Sequence, residues 1–377
     1  MTTTTTPTRR GGHLYEIDVL RVLTFACVIA VHVISHSVTA GDRPMLVVLG
    51  LVHFTREVFF ALTAFVLMYS YTRRPQPMRR FWPRRFLLVG VPYLVWSAVY
   101  VGYADLFSPP ASVWAGLLAY VVAIVTGTAA YHLYFLLVTM QVYLLLPLVV
   151  RLIRATRGHH LLLLVGAFVL QLGIVGTWMY VPGLAARLGS IPNATFPSYI
   201  FMIVAGAVAA DHAAPFLAWL RSGRRLIAVL TVVTGLLAVG VFLVQWSVGF
   251  SDTRAVTPLQ PVEVVWAGAV GLAFLAIGAA WSDRRVAGGR LDRGLATASD
   301  ISFGVFLVHP LVIAVLTRFG APVLAAMTDP WREVALYVVV VVVSVVLAAL
   351  LRRTPLSLPL TGRPIRPARV PATASAA

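Results

Sequence analysis

Residues 16–37 read EIDVLRVLTFACVIAVHVISHS. The segment is long and apolar enough to cross a bilayer, whose hydrocarbon core is about 30 Å thick. It nevertheless carries Asp18, Arg21, His32 and His36. At about 100° per residue, the eleven steps from Arg21 to His32 sum to three turns plus roughly 20°. Asp18 and His36 fall on the same side, so four polar groups form one stripe down a greasy helix. Arg21 and His32 then stand roughly 16 Å apart along the axis, about half the membrane. A charge at mid-membrane costs on the order of 2.5–3.5 kcal/mol on insertion scales. The stripe either glues neighbouring spans together or serves chemistry, and the cost of the charges favours chemistry.

The remainder of the chain fits such a helix. Of 377 residues, 59% are hydrophobic and 11% charged, and the mean hydropathy is +0.88. These values describe an all-α polytopic membrane protein rather than a soluble domain. The net charge of +17 comes from 30 arginines, with no lysine. A nucleic-acid surface would gather them on one soluble face among aromatics. Here they sit in short loops between apolar runs, and no nucleic-acid partner is expected. Cys27 is the one cysteine and lies inside the first span, so no intrachain disulfide can form. Val38-Thr39-Ala40 loosely fits a signal-peptidase site, but Asp18 and Arg21 argue for an uncleaved first span.

Apolar runs of spanning length cover 17–38, 45–71, 86–106, 131–150, 161–181, 197–213, 226–247, 262–281, 300–318 and 333–351. A weaker run covers 113–128. Charge bias decides its status. Ten spans, with 113–128 as a re-entrant or interfacial helix, put 23 arginines on the side of Arg9 and Arg10. Five (Arg43, Arg187, Arg254, Arg318, Arg332) then lie at the opposite ends, and two (Arg21, Arg56) within spans. An eleventh span would turn every basic loop from Arg151 to Arg293 outward. The positive-inside rule therefore predicts ten spans in a cell membrane with both termini cytoplasmic. The expected layout is a disordered tail over 1–13, one membrane domain over 14–353, and a disordered Pro- and Arg-rich tail over 354–377. No transporter-like internal repeat is visible.

That topology assigns depths to the polar residues. His32 and His36 lie toward the outer end of the first span, and Asp18 and Arg21 near its inner end. His53 and Glu57 are four apart in the second span, so they share a helix face, and Glu57 is expected to orient His53 or His32. The bland alternative pairs Glu57 with its neighbour Arg56. His132 opens the fourth span at the outer surface, where it could be only an interfacial anchor, and Gln141 lies deeper. His309 reaches mid-membrane on the ninth span, where it could merely fill the kink before Pro310. Four spans thus offer histidine or carboxylate to the outer half of the bilayer, which implies a cavity open on that side. His159 and His160 fall in a basic inner loop and read as solvated.

Several chemistries are absent. There is no G-x-S-x-G elbow, no H-E-x-x-H helix and no phosphate-binding glycine loop with lysine. The histidines lack paired spacing and have no cysteine partner, so no metal site and no tightly bound cofactor are expected. What remains is proton transfer by histidine, with arginine available for phosphate or carboxylate.

Five segments in order resemble the acyltransferase family 3 membrane proteins, which O-acylate glycans and other acceptors. They are Arg21 with His32 in a first span opened by DxxR, FFALTAF in the second span, and RRFWPRRFLLVGVPYLVW over 79–96. YHLYFL over 131–136 and ISFGVFLVHP over 301–310 complete the set. REVFF and LTAFVL look closest to the branch of biofilm-polysaccharide succinyl- or acetyltransferases. The chain departs from the pattern at Thr63-Ala64, at Tyr134 and at Leu88, which stands where the family's second loop arginine would fall if Arg85 is the first.

The resemblance implies an acyl donor, acyl-CoA as co-substrate, docked at the cytoplasmic face near Arg21, Arg84 and Arg85. His32 would take the proton of an acceptor hydroxyl, with Glu57 or Asp18 orienting it; imidazole titrates near 6.5, which suits the work. A transient acyl-histidine ranks second. The acceptor would be an extracytoplasmic glycan or similar molecule, bound among His53, His132, Gln141 and His309. The competing class is an exporter or flippase of polysaccharide or lipid-linked glycan, since buried His and Glu also serve proton relays.

Overall fold

The structure is a computed structural model and describes residues 13–365. The principal helices are α1 (Tyr15–Ser37), α2 (Arg43–Val52), α3 (Thr55–Arg73), α4 (Met78–Asp105), α5 (Val113–Thr126), α6 (Tyr134–Ala155) and α7 (His160–Tyr180). They are followed by α8 (Ile200–Asp211), α9 (Ala213–Ser222), α10 (Arg224–Ser247), α11 (Pro261–Arg284), α12 (Arg290–Phe319), α13 (Trp331–Leu351) and α14 (Ser357–Thr361). Among the described residues, nine helices are long and apolar enough to span a bilayer, with α2 and α3 counted together. A tenth is broken: α8 and α9 meet at 98°. The chain is a multi-pass membrane protein built as an all-α bundle.

α1 is the hub, packed against α2, α3, α11, α12 and α13. Its Glu16 and Asp18 lie in the first turn, where the helix dipole favours carboxylates. Glu16 also accepts a 2.7 Å bond from Arg221 of α9. The closest helix approach joins α3 to α8. A Cβ on Gly206 would lie 2.1 Å from the Ala61 carbonyl oxygen, so only glycine lets the two backbones meet there.

The predicted spans hold with four corrections. The second span is not one straight helix, because His53 and Phe54 form a turn between α2 and α3. Helix α4 starts at Met78, so the expected basic loop ahead of residue 86 is largely helical. The sixth span ends in the sharp bend at His212. The fourth concerns the expected disordered tail from Thr354. Residues 354–365 pack against the bundle, with Ser357 and Thr361 buried in α14 and the Trp96 indole N–H donating to Leu360 O at 3.1 Å. Residues 1–12 and 366–377 of the two expected tails lie outside the described residues.

The weak run 113–128 is the short helix α5. Its 14 residues rise about 21 Å, too little for a full crossing. It lies along α4, with Tyr93 Oη donating to Ile124 O at 2.5 Å and Tyr120 Oη to Leu94 O at 3.0 Å. The chain turns back at Gly127 (φ +74°), and His132 follows at once. The turn brings the His132 ring to 5.6 Å from that of His309. The basic loops all fall at the Arg21 end of the bundle. The described chain ends there too, since Arg363 and Arg21 line one cavity.

Candidate active site

Two cavities occupy the centre of the bundle. The outer one, about 460 Å³, is lined by His32, His36, His53, Arg56, Tyr131 and His132 among others. The inner one, about 290 Å³, is lined by Arg21, Arg85, Leu88, Ser302 and Arg363 among others. Phe59 and Phe135 line both, and so form the wall between them. They belong to a closed ring of four phenylalanines from α1, α3, α6 and α12. Successive centroids lie 4.5 Å apart for Phe25–Phe59, 5.4 Å for Phe59–Phe135, 5.4 Å for Phe135–Phe306 and 5.9 Å for Phe306–Phe25. Arg21 and His32 thus face the bundle interior from one helix, as the stripe predicts, but they open into two chambers rather than one. The bulk of four aromatic rings at mid-helix is the reason.

Three imidazoles cluster near the outer cavity, which His32 and His132 line while His309 packs against them from outside the lining. The His309 ring lies 5.4 Å from His32 and 5.6 Å from His132. Tyr131 stacks obliquely on His32 at 4.6 Å. His309 is fully buried, with Nδ1 bonded to Val305 O at 3.2 Å and Nε2 unpartnered. His132, also buried, has both ring nitrogens unpartnered. Buried polar atoms are nearly always satisfied, and leaving one bare costs about 1–3 kcal/mol. Of these two residues His132 lines the outer cavity and His309 does not. His132 is not the surface anchor that the sequence allows for, because the turn at Gly127 carries it inward. His36 is exposed at the rim, and its Nδ1 bonds the His32 carbonyl at 2.7 Å.

The second span contributes differently from expectation. The chain keeps right-handed helical dihedrals through His53 and Phe54, yet His53 and Glu57 meet different partners. His53 lines the outer cavity and donates from Nδ1 to Val256 O at 2.9 Å. Glu57 is buried away from it and accepts from Gln171 Nε2 at 3.1 Å, so it orients no histidine. Arg56 takes the place in the cavity wall. Its guanidinium donates to Asn193 Oδ1 at 2.7 Å and to the Pro258 carbonyl, clamping two external loops over the chamber. Gln141 is likewise occupied: its amide nitrogen donates to Ala194 O at 2.8 Å and its oxygen accepts from Phe196 N at 2.9 Å. It shapes the loop instead of facing a ligand.

At the inner cavity Arg21 donates to Ser299 Oγ at 3.0 Å, and that hydroxyl donates to Asp18 Oδ1 at 2.7 Å. Asp18 also pairs with His13 and lines neither cavity. It positions Arg21 through Ser299, a residue with no sequence signal of its own. Arg85 lines the cavity as expected, whereas Arg84 is exposed outside it.

Arg363 enters from the C-terminal segment, where Gly362 (φ +65°) passes so close that a Cβ would meet Leu88 O at 2.7 Å and Phe303 at 2.4 Å. The side chain of Arg363 therefore reaches the chamber beside Leu88, the position that lacks the expected arginine. Arg352 latches this strap, donating to Ser357 Oγ at 2.8 Å and Pro364 O at 2.9 Å and pairing with Asp300 at 3.2 Å.

Comparison with known proteins gives one finding. No curated protein and no solved structure matches the chain. A family model described as an acyltransferase domain matches residues 14–353, which takes in α1 to α13, the outer cavity and all of the inner cavity's lining but Gly362 and Arg363. On that match the chain belongs to acyltransferase family 3, whose members are enzymes moving acyl groups other than aminoacyl groups.

Proposed function

We propose that this enzyme moves an acetyl or succinyl group from acyl-CoA, bound at the arginine-lined inner cavity, to a hydroxyl of a glycan or similar acceptor in the outer cavity. The positive-inside rule puts the inner cavity and both termini in the cytoplasm and the outer cavity beyond the cell membrane. The observation that carries the reading is the pair of back-to-back chambers, guanidinium groups in one and the imidazoles of His32 and His132 in the other, sharing a wall of two phenylalanines.

Arg21, Arg85 and Arg363 suit the donor's phosphates, because guanidinium forks bind phosphate oxygens by charge-assisted pairs. The acyl-bearing arm passes the phenylalanine ring to reach His32. An imidazole nitrogen of His32 takes the acceptor's hydroxyl proton as the oxygen attacks the thioester carbonyl. The carbon–sulfur bond breaks, the CoA thiolate leaves, and the proton on His32 passes to it. General-base help of this kind contributes about 10²–10⁴ in rate. His132 offers hydrogen-bonding nitrogens to the acceptor, and Arg56 holds the loops that roof the site.

The test is mass spectrometry of surface glycans from cells with and without the gene, complemented by wild type or His32→Ala. Ester groups that vanish without the gene, and that only wild type restores, support the proposal. Retention of unmodified polymer inside cells that lack the gene would instead support export, and full acylation by His32→Ala would remove His32 from the mechanism.

A further inference from the structure

A second cluster of ligating side chains lies apart from both cavities. His160 is the first residue of α7, Asp211 the last of α8, and His212 sits at the 98° bend between α8 and α9. One ligating atom from each falls within 4.8 Å of the others. None of the three lines either chamber.

The hydrogen bonds fix the chemistry of His160. Its Nε2 lies 2.9 Å from the Ile153 carbonyl, which can only accept, so Nε2 carries the ring proton. Nδ1 is then a bare lone pair, and it points at His212 Nε2 from 2.8 Å. A ring held by a backbone carbonyl on one nitrogen and presenting the other is the arrangement that orients metal-binding histidines. Ligands about 2.0–2.1 Å from a tetrahedral zinc stand about 3.3 Å apart. The two imidazole nitrogens stand 2.8 Å apart and the carboxylate oxygen within 4.8 Å of both, so small side-chain rotations admit a cation. His160 and Asp211 are half-buried and His212 is exposed, which leaves the remaining coordination position open to water.

We infer that His160, Asp211 and His212 form a binding site for a divalent transition cation of the zinc class, which pins the bend of the broken span to the start of α7. Two neutral imidazoles and one carboxylate match zinc in ligand type, and oxygen-seeking magnesium or calcium poorly. The bound ion replaces the proton shared between the two rings. The site is structural: it joins α7 to the α8–α9 corner, which the Glu16–Arg221 pair ties in turn to α1.

The test uses the full chain, purified in detergent with a tag that contains no histidine, stripped with chelator and titrated with ZnCl2. Wild type should bind one zinc per chain, by elemental analysis after desalting, and its melting temperature should rise with zinc. His212→Ala changes an exposed side chain and should fold normally, as judged by its melting temperature in chelator. Losing a supporting contact costs about 10–100-fold in metal affinity, so losing this ligand should cost more than about 100-fold. Asp211→Asn should weaken binding in the same direction. The proposal is overturned if wild type retains no zinc, or if His212→Ala binds zinc with the same stoichiometry and affinity.

Discussion

Replacing Arg21 by alanine should weaken CoA binding by about 10–30-fold. A charge-assisted hydrogen bond is worth about 1.5–3 kcal/mol, and each 1.4 kcal/mol is tenfold in affinity. The Arg21 side chain is 26% exposed and Asp18 stands 3.8 Å away, so solvent and the nearby carboxylate both screen it. The lower half of that range, about 1.5–2 kcal/mol, therefore applies. The loss is partial because Arg85 and Arg363 remain in the same chamber. Ser299→Ala leaves the charge but frees the guanidinium from its 3.0 Å anchor, so its loss of affinity should be smaller than that of Arg21→Ala. The assay is isothermal titration of CoA into the detergent-solubilised protein, which requires no acceptor. His32→Ala serves as the control and should bind CoA like wild type, since it lines the other cavity. An Arg21→Ala protein whose CoA affinity stays within about twofold of wild type would refute the donor site, because even a weak charge-assisted pair is worth more than that.

His32→Ala should abolish acyl transfer while leaving membrane expression intact, measured by label transfer from acyl-CoA to glycan. Phe59→Ala should join the two chambers, raising acceptor-independent CoA release relative to wild type as water reaches the thioester, read with a thiol reagent. Gly206→Ala should destabilise the fold by about 1–3 kcal/mol, since the new methyl meets the Ala61 backbone, whereas Gly166→Ala in open space should not; melting temperatures decide. In a Cys27→Ser background, Ser108→Cys should react with an impermeant reagent from outside the cell and Arg157→Cys only from inside. Both are exposed at opposite ends of the bundle, and labelling of both from one side would overturn the topology.

The legible part of the fold is the part governed by one-dimensional rules. Helical spacing puts Arg21 and His32 on one interior stripe, and the apolar runs give the spanning helices and an element over 113–128 too short to cross. The site is less legible because it depends on tertiary contacts that composition does not mark. Nothing in LVHFTREV marks that Arg56 lines the cavity wall while Glu57 is buried against Gln171. Gln141 reads as a ligand-facing amide at mid-span, but backbone groups of a loop more than fifty residues away use both its ends. Ser299 and Arg363 reach the inner chamber only through tertiary packing. The arginine missing at Leu88 is a readable gap, and its spatial substitute lies in a tail whose Pro-rich composition reads as disorder.

The ring of Phe25, Phe59, Phe135 and Phe306 has an electrical consequence. On the proposed topology the two hollows enter the membrane from opposite faces and squeeze its voltage onto what separates them, one layer of aromatic rings. Moving one elementary charge across that layer is worth about 2.3 kcal/mol per 100 mV. A succinyl group carries a carboxylate and an acetyl group does not. With an inside-negative potential the field would help push succinyl outward and leave acetyl indifferent, so collapsing the potential with an ionophore should slow the first cargo and spare the second.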